Sequence, residues 1–188
     1  MNFKQFGVLL SVSTILGINV IATKVLAVDE PSITFGAALV SGGCSVAPGE
    51  DGRSLSIVLD NFSAFNGQRQ KCILRVQAFI PSGFIIQDVQ VLYQGTTEVN
   101  RGSKGTSLSR TYSFSGGALG QVVAPPKTTK FTSSKAFAEQ DKITVLAASG
   151  LCSGGQGILG INLIAQSSRG SSIFVDTADR LYFDLKRC

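Results

Sequence analysis

Residues 106–115 read Thr-Ser-Leu-Ser-Arg-Thr-Tyr-Ser-Phe-Ser, and their alternation decides the fold class. Every odd position from Ser107 to Ser115 carries a hydroxyl, while Leu108, Tyr112 and Phe114 take even ones. A period of two sends the two sets to opposite faces of a strand, one wet and one dry. Upstream, Cys72, Leu74, Val76, Ala78 and Ile80 alternate with Arg75 and Gln77 in the same way. Leu55, Ile57 and Leu59 do so with Ser54 and Ser56. Asn66-Gly67, between these runs, accepts positive φ readily and marks a hairpin with a longer loop.

The pattern continues on both sides. After the break at Pro81-Ser82-Gly83, residues 84–93 set Val89, Val91 and Tyr93 on one face and Asp88, Gln90 and Gln94 largely opposite. Residues 143–148 and 157–166 are further apolar runs, and 173–175 with 181–185 read as a closing hairpin around Thr177-Ala178-Asp179-Arg180. Residues 116–138, with Pro125-Pro126 and Lys127, Lys130 and Lys135, read as a long exposed excursion. Eight or nine strands without an amphipathic helix predict an all-β, two-sheet antiparallel sandwich, with a closed barrel as the alternative.

The first residues point to export. Lys4 precedes sixteen uncharged residues, 7–22, and Val25-Leu26-Ala27 offers a small-residue exit. A signal peptide over residues 1–27, cut between Ala27 and Val28, is expected. The run is shorter than the roughly 20 apolar residues of a spanning helix, and it carries Ser11, Ser13, Thr14 and Asn19. Residues 28–188 then form a single domain, secreted or held at the envelope and not transmembrane once processed. The whole chain has net charge +5. The leader holds Lys4 and Lys24 and no acid, so +3 remains, too mild to indicate nucleic acid.

Four cysteines, Cys44, Cys72, Cys152 and Cys188, in an exported chain predict two disulfides. A zinc site is excluded by their wide spacing and by the absence of histidine. If residues 157–166, 172–176 and 181–187 form a meander, Cys152 and Cys188 end at opposite edges of a sheet. That leans toward Cys72–Cys188 with Cys44–Cys152.

Gly43-Cys44, Arg69-Gln70-Lys71-Cys72, Pro81-Ser82-Gly83-Phe84, Tyr112-Ser113-Phe114-Ser115-Gly116 and Lys186-Arg187-Cys188 occur in that order. Together they resemble the secreted bacterial and fungal family known as domain of unknown function 4360, over residues 35–188. The resemblance implies secretion and disulfides and supplies no activity. The chain departs from the family pattern at Ser45, where proline is usual, and in having no tryptophan before its third and fourth cysteines.

The residues narrow the chemistry. Without histidine no Ser-His-Asp or Cys-His arrangement can be built. Oxidised cysteines are not nucleophiles. Paired carboxylates are the remaining catalytic option, with Asp60, Asp88, Asp176, Asp179 and Asp184 as candidates, each at a strand end, in a turn or on a wet face. Gly155-Gln156-Gly157-Ile158-Leu159-Gly160 spells GxGxxG, but no helix pattern follows it and strands do, so no cofactor is assigned. Glu50-Asp51-Gly52 and residues 176–179 could offer oxygen ligands to calcium, yet both are turn sequences and no metal is assigned. Asn61-Phe62-Ser63 is a glycosylation sequon that matters only in a eukaryotic host. Of the basic residues, Arg101, Lys104 and Arg110 form one group and Lys127, Lys130 and Lys135 another, a candidate anion-binding loop. The expected function is non-enzymatic binding or structure at the cell surface, with polysaccharide or protein as partner. The alternatives are a carboxylate-based hydrolase or lyase, and a secreted inhibitor or effector.

Overall fold

The computed structural model describes residues 31–59, 61–116, 121–145 and 151–188. They form two antiparallel sheets packed face to face. The strands are β1 Thr34–Gly42, β2 Ser45–Pro48, β3 Ser54–Val58, β4 Ser63–Phe65, β5 Arg69–Ile80, β6 Phe84–Val99, β7 Thr106–Ser115, β8 Gln121–Val123, β9 Lys127–Phe131, β10 Lys135–Thr144, β11 Gly155–Ser167 and β12 Ser171–Arg187. The first sheet has the order β1-β5-β11-β7-β8, with β9 also on β7. The second has the order β10-β6-β12-β3-β2, with β4 also on β12. The sandwich reading holds, and the strand count rises because β2, β4, β8 and β9 are short and β1, exposed along nearly its whole length, shows no alternation. Of the apolar run at 143–148, residues 143–144 end β10 and 146–148 lie outside the described residues.

The alternating positions form the core. Cys72, Leu74, Val76, Ala78 and Ile80 of β5, Leu108, Tyr112 and Phe114 of β7 and Val89, Val91 and Tyr93 of β6 are all buried. Phe131 of β9 stacks on Phe137 of β10 with ring centroids 4.6 Å apart, joining the two sheets along one open side.

Three expectations are corrected. Residues 116–138 are not one exposed excursion, because β8, β9 and the start of β10 lie within them, with β8 and β9 paired to β7. Residues 171–187 are not a hairpin but one 17-residue strand. Its register shifts three times against β6, between Val175 and Thr177, between Asp179 and Tyr182, and between Asp184 and Leu185. The first two are bulges in β12 itself, which break the period and mimic a turn in the sequence.

The third correction concerns the disulfides, which are Cys44–Cys72 and Cys152–Cys188. No meander forms, since β11 and β12 belong to different sheets. Cys152 precedes β11 and Cys188 follows β12, and the sandwich brings those two ends together. There Gly83 N donates to Cys152 O at 2.8 Å and Cys188 N donates to Gly83 O at 2.9 Å. The second bridge therefore fastens the β5–β6 turn as well. At the other end of β5, Gly42 pairs with Cys72 in register. Gly42 has φ 98° and lies against the Lys71 carbonyl, so a side chain there would collide with backbone. This close turn carries the chain directly to Cys44.

Candidate functional site

The outer face of the second sheet carries a recess of about 300 Å³, lined by Gln90, Val91, Leu92, Gln140, Arg180 and Tyr182. It lies where β10, β6 and β12 run side by side. Register sets Tyr182 opposite Gln90 and Gln140 opposite Leu92. At the bulge of β12, Leu181 turns into the core and leaves Arg180 and Tyr182 outside. Tyr182 is 39% exposed. Gln140 Nε2 donates to Gln90 Oε1 at 3.3 Å, which orients both amides. The result is an open aromatic ring beside two amides and a guanidinium on strand backbone. The volume sits at the lower end of the roughly 300–1,000 Å³ usual for ligand pockets.

Beneath, a polar network ties the sheets together. Arg110 Nε donates to Asp141 Oδ2 at 2.8 Å, and Tyr112 Oη donates to the same oxygen at 2.6 Å. The Tyr93 and Tyr112 hydroxyls share a hydrogen bond of 2.7 Å. Arg110 Nη2 reaches Thr129 Oγ1 at 2.9 Å, and Thr129 Oγ1 donates to Glu139 Oε2 at 3.0 Å. Burial, first among the causes, raises both phenols well above their usual range, so they stay protonated and donate. Arg110 is thus no loop cation. Grouped by sequence with Arg101 and Lys104, it lies instead on the dry side of β7 and is buried, and Asp141 is the partner that makes this tolerable.

The predicted lysine loop does not assemble. Lys127 turns toward the sheet interface, its Nζ 3.4 Å from Asp141 Oδ1. Lys130 pairs with Ser107 in register and shares the outer face of the first sheet. Lys135 lies at the start of β10 with its Nζ 5.6 Å from the Phe131 ring centre. Three strand positions aim the three lysines in three directions.

Of the candidate acids, two come together and the others are dispersed. Asp88 accepts from Thr144 Oγ1 at 2.9 Å and pairs with Lys142 Nζ at 2.9 Å. Those contacts, the hydrogen bond from Lys142 first, lower its pKa. Asp184 stands opposite Asp88 in register. Asp176 is exposed on β12, Asp179 falls in the same strand, and Asp60 lies outside the described residues. Asp51 Oδ1 accepts from the backbone of Arg53 and Ser54 and from the Ser54 hydroxyl, which is a turn-closing role. Among the described residues no three His, Cys, Asp or Glu side chains converge as a metal site, and no helix is long and apolar enough to cross a membrane. The GxGxxG stretch lies within β11 and its start, where the chain continues as strand rather than opening a helix.

Similar solved structures share the chain at low identity. TmCBM61, solved with β-1,4-galactotriose, is 14% identical over 80% of this chain and 88% of its own, with a TM-score of 0.33. A family 16 carbohydrate-binding module is 10% identical over 78% and 87%, with a TM-score of 0.35. TmCBM27, studied for mannan recognition, is 12% identical over 84% and 90%, with a TM-score of 0.35. Among curated proteins none matches the sequence. The profile of one family matches residues 36–186, and with its cysteine order, glycine-rich opening and two-sheet fold the chain belongs to that family, Domain of unknown function (DUF4360).

Proposed function

We propose that this is an exported, non-enzymatic binding protein that takes a segment of neutral polysaccharide in the recess around Tyr182. The observation that carries this reading is the open Tyr182 ring beside the hydrogen-bonded Gln90–Gln140 pair. A sugar ring offers an apolar C–H face and an equatorial rim of hydroxyls. The tyrosine suits the first, and amides that both donate and accept suit the second. Strand backbone on both sides holds these groups without closing, which suits a polymer that enters and leaves sideways.

The Asp88–Asp184 register pair favours a carboxylate hydrolase as second reading. Such a mechanism needs one carboxyl held protonated as the acid. The second carboxyl must reach the substrate, and Asp88 is only 5% exposed, closed off by Lys142 and Thr144. This weighs toward binding.

The test is a glycan array on protein recovered from culture medium with the intact mass of residues 28–188. The expected result is retention of one class of neutral chain, with Tyr182→Ala lowering affinity by about tenfold, as the loss of an aromatic contact of about 1 kcal/mol or more would. Wild-type protein that ignores every neutral glycan, or Tyr182→Ala that binds unchanged, overturns the reading.

A further inference from the structure

We propose that the outer face of the first sheet is a separate binding surface for a carboxylated polysaccharide. The six strands of that sheet contain no Asp or Glu. Arg69, Lys71 and Arg75 of β5 occupy outward alternating positions, and Lys130 of β9 joins them through the register Arg69–Gln166–Ser107–Lys130. None of the four has an ion-pair partner among the described residues, whereas Lys142 and Lys127 outside this face do. A row of unpaired cations on an acid-free sheet gives a one-signed field over the whole face, and that field attracts and orients a polyanion.

Spacing fits a chain rather than a small ion. Arg69 and Lys130 are three strands apart, about 14 Å, and Lys71 and Arg75 are about as far apart along β5. At the Lys130 end of the row, a recess of about 270 Å³ is lined by Lys104, Lys130, Ser107, Gln166 and Ser168. The cations thus mark out a surface with charges a few residues of polymer apart.

Arg75 decides for carboxylate and sugar. Its side chain lies over Gly160 of β11, and a Cβ there would stand 3.3 Å from the guanidinium carbon and collide with the Ser113 hydroxyl. Only glycine lets the guanidinium lie this close to the sheet. Nη1 is occupied, donating to the Leu74 carbonyl at 2.6 Å and to Asn162 Oδ1 at 3.1 Å. Among the described residues nothing takes Nε and Nη2, the edge of the fork that matches a carboxylate with two parallel bonds. Beside it run the hydroxyls of Ser107, Ser109, Thr111, Ser113 and Ser115, all half-buried and outward. Hydroxyls answer the hydroxyls of a sugar chain. A nucleic acid would call for several stacking aromatics, and this face has Phe79 alone, 40% exposed at one end.

Affinity electrophoresis of the disulfide-bonded protein in polygalacturonate gels, with fully methyl-esterified polymer as the uncharged twin, tests this. The expected result is retardation by the acid polymer only, weakening as salt rises, since exposed contacts are screened within about 8 Å at physiological ionic strength. Arg75→Gln should weaken it about tenfold. Arg75→Lys should recover part of the loss, because it keeps the charge without the fork. Arg69→Gln with Lys71→Gln and Lys130→Gln should flatten the salt dependence, and Lys135→Gln with Lys186→Gln should leave it unchanged. Equal retardation by the esterified polymer, stronger binding to single-stranded polynucleotide, or indifference to Arg75→Gln and the triple change would each overturn the proposal. The esterified polymer is the one neutral glycan in this assay, so every measurement is repeated on Tyr182→Ala protein, which makes the outcome independent of the Tyr182 recess.

Discussion

Asp141 is the residue on which the sheet-to-sheet contact turns. Its Oδ2 takes the Arg110 guanidinium and the Tyr112 hydroxyl, and all three side chains are buried. Asp141→Ala leaves Arg110 charged and without its carboxylate, and should cost about 3–5 kcal/mol. Tyr112→Phe removes one hydroxyl from the chain Tyr93–Tyr112–Asp141 and should cost about 1–3 kcal/mol. Urea midpoints at unchanged slope check both. The loss should appear only where the pair is broken, so replacing Arg110 and Asp141 together by apolar residues should recover most of it. Asp88 gives a different signature. Its lowered pKa means it contributes stability that is full above the unfolded value of 3.8 and is lost as pH falls through the lower folded value. Asp88→Asn should therefore flatten the acid limb of the stability curve below about pH 4, measured by urea midpoints across pH. An unaltered limb would place the acid sensitivity elsewhere. The sequence held half of this. Arg110 fell on the dry face of a clear alternation, but Asp141 is 31 residues away in a run with no outward sign of burial.

Among the elements, β12 shows how a sequence period fails. Strands β5 and β7 keep a strict period of two, and every inward residue read from them is buried. In β12 two bulges, after Val175 and after Asp179, each shift the phase, while the third register shift places its extra residue, Gln87, in β6, so the pattern of β12 looks like two short strands and a turn. The disulfide pairing went with it, because the meander needed a hairpin that does not exist. The recess was hidden for a related reason. Gln90, Gln140 and Tyr182 come from three strands made neighbours by sheet order, and no local pattern records that order. Peptide mapping without reduction should return Cys44–Cys72 and Cys152–Cys188 and neither crossed pair. In the loop-entropy account, removing either bridge should cost about 3–4 kcal/mol. Cys152→Ser with Cys188→Ser should also loosen the β5–β6 turn, which hydrogen exchange at Gly83 would detect.

For the whole molecule, the sandwich segregates charge by layer. All acids in its strands belong to the second sheet, while the first has cations only. Composition alone gave a mild net charge, which averages the two sheets and conceals the polarity. The layering also orders the two proposed ligands: an anionic chain meets one face and a neutral chain the other, so the protein could bridge two polymers of a surface matrix.

The order of the strands also governs when the fold can exist. Strands β5 and β7 meet only through β11, and β6 and β3 only through β12. The two keystones come after every strand they join. A chain that crosses a membrane amino end first would hold only separate strand pairs, the hairpins β2–β3 and β7–β8 among them, until β11 and β12 emerge. Isolated hairpins are marginal in water. Such a chain stays threadable throughout its passage and locks only on the far side, where oxidation can seal Cys152 to Cys188.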